Sequence, residues 1–150
     1  TNHLYGSRPA THNFGLLLGS ELLMAISLNG NNNLEIIRLA TKCGCSVRGG
    51  LSKLMSNVRR TLRPFTILSY ADICFSNADG YIAAGCNISG LTQPGYFYYK
   101  GKTRLSRQQC QKHKLHTILA NFDPLLSESI NMFRNGFRRV WNAGNLRLEC

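Results

Sequence analysis

Acidic side chains are scarce in this chain: seven Asp and Glu stand against 18 Lys and Arg, a formal net charge of +11 over 150 residues. Such a field favours polyanions, nucleic acid first and an anionic membrane surface second. Long apolar runs are lacking too. A membrane span needs about 18 consecutive apolar residues, and the best stretch, GLLLGSELLMAISL, is interrupted by Gly19, Ser20 and Glu21. The expectation is therefore no membrane association. No internal repeat or low-complexity tract is present, and Asn29–Asn33 is only a short turn. The opening residues show neither a secretory signal pattern nor an initiating methionine, so a processed or excerpted N-terminus is expected. With 43% hydrophobic and 17% charged residues, the composition is globular and suits one domain with a real core.

The six cysteines (Cys43, Cys45, Cys74, Cys86, Cys110, Cys150) are scattered, with no framework spacing. In a chain able to bury a core, that pattern predicts reduced thiols in an intracellular, reducing compartment. Asn87-Ile88-Ser89 then matches the glycosylation sequon by chance. Cys110, His113 and His116 recur every three residues but match no standard zinc spacing and lack a fourth ligand, so no metal site is expected. Sequence order alone assembles no Ser–His–Asp set.

Residues 14–40 read as three strands joined by turns at Gly19-Ser20 and Gly30–Asn33. Leu51, Leu54, Met55, Val58 and Leu62 then mark one face of a helix that Pro64 ends. PFTILSYAD reads as a buried strand, ADGYIAAG as a short helix and GYFYYKG as an aromatic strand. Further on, helices are expected over Ser106–Asn121 and Pro124–Arg134, and a last pair of strands in FRRVWNAGNLRLE.

Two motifs can carry chemistry. Arg48-Gly49-Gly50, ahead of the helix that bears Lys53, offers backbone amides, small residues and cations to a phosphate; equally, it can be a tight turn that needs glycine for its dihedrals. Asp72 ends an apolar run, where open α/β sheets place ligands, and Tyr81 follows nine residues later. The pair can act as base and acid, or as a helix cap and a packed aromatic.

A strand, glycine loop and helix followed by a second strand and helix resembles the core of the acyl-CoA N-acyltransferase (GNAT) fold. That resemblance implies an α/β (α+β) fold with a mixed central sheet and flanking helices. It also implies an acetyl-CoA or other acyl-CoA donor on Arg48, Gly49, Gly50 and Lys53, with Asp72 and Tyr81 as catalytic residues and Tyr81 protonating the departing thiolate. More narrowly, Glu35, Arg38 and Gly49-Gly50-Leu51-Ser52-Lys53, then Ser69-Tyr70-Ala71-Asp72, Ser76, Tyr81, Gly85, Pro94, Tyr96, Tyr98, Ser106, Arg107, Lys112, Leu115, Trp141, Gly144 and Asn145 resemble a phage GNAT-like domain. That domain is found at the carboxyl end of phage homing endonucleases and is similar to the Mom DNA-modification protein, whose amino-terminal His-Tyr-type element resembles His3-Leu4-Tyr5. The resemblance covers nearly the whole chain and implies phage-infected cytoplasm or an organelle matrix as the location. Phe75, Cys86 and Asn142 replace the family's tryptophan, phenylalanine and aspartate.

Residues 100–116 hold a dense basic run beside Tyr96, Phe97, Tyr98 and Tyr99, which suits phosphates and stacked bases. The expected nucleic-acid contacts are Arg59, Arg60, Arg63, Lys100, Lys102, Arg104, Arg107, Lys112 and Lys114. The expected organisation is a single domain with a core over about 1–101 and a basic helical extension with a terminal hairpin over about 102–150. Two functions compete: acyl-CoA-dependent modification of a base or amine, and non-catalytic DNA or RNA binding beside a separate nuclease or within a ribonucleoprotein.

Overall fold

Period-two patterning sets the first strands. In the computed structural model, which describes residues 8–150, β1 (His12–Leu18), β2 (Glu21–Gly30) and β3 (Asn33–Thr41) form the expected antiparallel meander. Met24, Ile26 and Leu28 point inward at alternate positions of β2, joined by Leu34 and Ile36 of β3. The apolar face of α1 (Gly50–Leu62) covers them with Leu51, Leu54, Met55 and Val58. Burying each such side chain stabilises by about 1.5–3 kcal/mol, which makes this seam the main core. The helix stops at Arg63, whose left-handed backbone (φ 47°) is followed by Pro64, a residue unable to continue it.

β4 (Thr66–Asp72) returns parallel to β3 and leads through α2 (Asp79–Ala83) to β5 (Asn87–Leu91). The last strand, β9 (Asn145–Glu149), inserts between β4 and β5, antiparallel to both. The resulting sheet runs β1-β2-β3-β4-β9-β5, a mixed sheet with mostly antiparallel pairs, as the α/β reading expects. Beyond the Asn87↔Glu149 pair, Cys86 and Cys150 form a disulfide. This corrects the expectation of six reduced thiols. The 64-residue separation hid a pairing that strand order alone creates.

These elements make one compact unit, residues up to Thr92 together with Asn145–Cys150; Gln93–Gly144 make a second. The residues expected as an extension from about 102 thus fall mostly within the second unit. Its sheet runs β7-β6-β8, with β6 (Tyr96–Lys100) between β7 (Thr103–Ser106) and β8 (Arg138–Trp141). Tyr98, Cys110, Leu115, Leu119, Met132 and Phe137 form its core.

The expected terminal hairpin is corrected: β8 pairs with β6, whereas β9 pairs in the other sheet. The expected helix over Ser106–Asn121 shrinks to a 3₁₀ turn (Lys112–Lys114) and α3 (Leu115–Ile118). Gln109 Oε1 accepts both the Ser106 N–H and hydroxyl, and this local bonding competes with helix. The following helix, α4 (Glu128–Arg134), starts four residues later than expected because Ser127 caps it, accepting from Ile130 N. Buried Asn131 holds the preceding loop, donating to the carbonyls of Asp123, Leu126 and Ser127.

Candidate functional site

The parallel ladder between β3 and β4 is short. It pairs Asn33↔Thr66, Leu34↔Ile67 and Glu35↔Leu68 and then stops, although β3 continues to Thr41 and β4 to Asp72. Beyond Glu35 the strands part, and β3 keeps backbone donors and acceptors that have no β4 partner. A cavity of about 140 Å³ fills the opening, lined by Ile36, Ile37, Arg38, Leu39, Tyr70 and Tyr81. The Arg38 guanidinium donates to the Ile37 carbonyl at 2.6 Å.

Tyr81 reaches this opening from α2. The helix is entered through Ala78, fully buried and held at φ 65°, a left-handed conformation costing a non-glycine residue about 1–2 kcal/mol. Ser76 Oγ accepts the Ala78 N–H, and the Ala78 carbonyl accepts the N–H of Tyr81 and Ile82. Burial raises the Tyr81 pKa above 10.0, opposed in part by the neighbouring Ser69 hydroxyl. Ser69 Oγ is itself buried and meets no partner at full hydrogen-bond geometry. The phenol is therefore a proton donor throughout the neutral range.

Asp72 stands at the carboxyl end of β4 as expected, but it does not line the cavity. Its Oδ1 accepts the Cys74 N–H and its carbonyl accepts from Phe75 and Ser76, so it shapes the turn toward α2. Of the two expected catalytic residues, the structure brings Tyr81 into the opening and gives Asp72 to the turn.

The Arg48–Gly50 loop follows β3 and starts α1. No side chain caps this helix and no acid lies in its first turn; the Gly50 N–H donates to the Val47 carbonyl, which leaves the Leu51 and Ser52 amides and the dipole for an anion. Gly49 adopts φ 66°, where L side chains are strained. Gly50 is buried: a Cβ there would lie 2.7 Å from Met24 Sδ and 2.9 Å from Val47 Cγ1. Both glycines are thus required, for different reasons. Arg48 is exposed beside them. Lys53 points into a separate shallow depression along α1, lined also by Ser52, Ser56, Asn57 and Arg60.

All nine expected nucleic-acid contacts are exposed: Arg59, Arg60 and Arg63 at the end of α1, and Lys100, Lys102, Arg104, Arg107, Lys112 and Lys114 in the second unit. Arg138 and Arg139 on β8, outside that expected set, are exposed as well. Sequence reading missed Glu128, whose Oε1 accepts the hydroxyls of both Tyr96 (3.0 Å) and Tyr98 (3.1 Å). Burial, then the Glu128 charge and hydrogen bond, push Tyr98 up to about 12. The β3 edge was missed as a lining surface, and Tyr70, named only through the resemblance, was given no place in the site. Cys110 is buried whereas His113 and His116 are exposed. The His3–Tyr5 element lies outside the described residues. No helix among the described residues is long and apolar enough to cross a membrane.

No family model and no curated protein matches the chain. Among solved structures it is similar to a Bacillus subtilis acetyltransferase in complex with CoA (14% identity, TM-score 0.49), covering 91% of this chain and 74% of that one. It is also similar to a tandem GNAT protein from the clavulanic acid biosynthesis pathway, without AcCoA (17% identity, TM-score 0.46), covering 63% of this chain. The match spans 34% of that second protein's length.

Proposed function

We propose that the first unit binds an acyl-CoA donor and passes its acyl group to an amine, with a nucleic-acid base as the acceptor the charge favours. The observation that carries this reading is the parting of β3 and β4 beyond Glu35↔Leu68, with Tyr81 at the opening. The uncapped start of α1 suits a pyrophosphate: the Leu51 and Ser52 amides lie there beside exposed Arg48, and the open space at Gly49 lets oxygens approach. The edge of β3 beyond the end of its ladder with β4 suits an extended arm with amide groups, by the logic of strand addition. The donor supplies an activated thioester carbonyl. As the amine nitrogen bonds to that carbon and the C–S bond breaks, the Tyr81 hydroxyl gives its proton to the sulfur, and the proton lost from the amine nitrogen passes through solvent to restore the phenol. Asp72 acts as a positioning residue through the turn that leads to α2. A duplex acceptor must first have its base unstacked.

A second reading is a non-catalytic DNA- or RNA-binding module of phage type, working beside a separate nuclease or within a ribonucleoprotein. The engagement of Asp72 in its turn favours it. Thermal unfolding with acetyl-CoA decides between them. Ligand at 100 times Kd stabilises by about 2.7 kcal/mol, or roughly 5–10 °C for a chain of this size. That shift, abolished by Arg48→Ala with Gly49→Ala, supports the enzyme. No shift alongside salt-sensitive nucleic-acid binding supports the module.

A further inference from the structure

We infer that the open face of the β7-β6-β8 sheet is a stacking platform for single-stranded nucleic acid, built on Phe97 and Tyr99. Strand alternation divides the rings of β6. Tyr98 turns inward, 1% exposed, into the core with Leu115, Leu119 and Met132. Glu128 fixes the Tyr96 and Tyr98 hydroxyls on that side, which commits Phe97 and Tyr99 to the other. Opposite them in the register stand Ser106 and Val140 beside Phe97, and Arg104 and Arg138 beside Tyr99. Tyr99 and Val140 are 38% and 41% exposed, and both arginines are exposed.

The occupant follows from charge and ring geometry. The three strands carry no acid, and the register places two cations, Arg104 and Arg138, on the face of Phe97 and Tyr99. A second copy of this face would be repelled; a polyanion is attracted. Phe97 and Tyr99 meet edge to face, centroids 5.0 Å apart at 85°, and Arg104 lies 4.4 Å from the Phe97 centroid. A flat base can lie on one ring against the edge of the other while its phosphates meet the flanking guanidiniums. In a duplex the base faces are already stacked, so the rings select unpaired strands.

This deepens the nucleic-acid half of the reading above and is independent of its acyl-donor half, because it is measured without acetyl-CoA. Fluorescence anisotropy of the full chain is followed with 12-nucleotide oligo-dT, oligo-U and a 12-base-pair duplex, plus vesicles of phosphatidylserine and phosphatidylcholine. A single strand, whichever sugar it prefers, is expected to bind at least tenfold more tightly than the duplex. Tyr99→Ala should weaken it about tenfold and Tyr99→Phe hardly at all. Arg104→Gln with Arg138→Gln should flatten the slope of log K against log salt by about 0.7 for each phosphate left without its guanidinium. Phe97→Leu, which keeps an apolar group should Phe97→Ala not fold, should also weaken binding. Tighter binding to duplex or vesicles, or unchanged affinity in folded Tyr99→Ala and Phe97→Leu, overturns the inference.

Discussion

Gly50→Ala offers the sharpest local test of the packing at the start of α1. The added methyl would lie 2.7 Å from Met24 Sδ, 2.9 Å from Val47 Cγ1 and 3.1 Å from Val47 Cβ. The methionine can rotate aside, but valine is stiff at χ1 and β-branched, so the clash with Val47 persists. Overpacking of this kind costs about 1–3 kcal/mol, offset by less than about 1 kcal/mol of helix propensity. The net loss of about 1–2 kcal/mol corresponds to a Tm roughly 2–8 °C lower. Gly49→Ala fails for a different reason, since nothing lies within 4 Å but φ is 66°. Its cost of about 1 kcal/mol should shrink in Gly49→Asn, because asparagine tolerates that conformation. Urea unfolding of the single variants and of Val47→Ala/Gly50→Ala measures these terms. The double variant should recover about 1 kcal/mol relative to the sum of the singles. A Gly50→Ala variant as stable as the parent, or strictly additive effects with Val47→Ala, would refute the packing argument.

Other expectations follow from the same contacts. Tyr81→Phe should reduce acyl transfer by about 10²–10⁴ and leave stability within about 1 kcal/mol, since Ser69 gives the phenol little to lose; an equal fall in both would make Tyr81 a packing residue. Tyr98 ionises near 10.0 unfolded and about 12 folded, so stability present below pH 10 should be lost between pH 10 and 12. Glu128→Gln should narrow that window, read by tyrosinate absorbance and alkaline unfolding. Thiol alkylation should label Cys43, Cys45 and Cys74 quickly in the native chain, buried Cys110 only after denaturation, and Cys86 and Cys150 only after reduction. Loss of that cross-link, by Cys86→Ser with Cys150→Ser, should cost about 2–5 kcal/mol.

Much of the fold was legible because local signals agreed with tertiary ones. Met24, Ile26 and Leu28 alternate on β2, and Leu51, Leu54, Met55 and Val58 repeat on α1; each pattern has a single buried face to satisfy. β5 was missed because NISGL is short, mostly exposed and contains a glycine, so no alternation marks it. The destination of β9 was equally hidden. Its residues pattern as a strand, but only long-range pairing places Leu148 between β4 and β5 and brings Cys150 to Cys86. In the site, Tyr81 and the glycine pair were readable from residue type and spacing. The use of Asp72 was not, since an Asp at a strand end serves a turn or a ligand with the same side chain. The fold resemblance implied a gap between splayed strands, but the residues of its wall at Ile36–Leu39 could not be named, because the opening exists through the parting of two strands rather than through any residue's chemistry.

Backbone hydrogen exchange with and without acetyl-CoA tests the central claim most directly. Occupation of the space between the parted strands predicts slowed exchange at the β3 amides from Ile36 to Leu39 that face β4, together with the leading amides of α1 at Leu51 and Ser52. Saturating acetyl-CoA that leaves both segments exchanging at their free rates, or that protects only residues elsewhere, would contradict it.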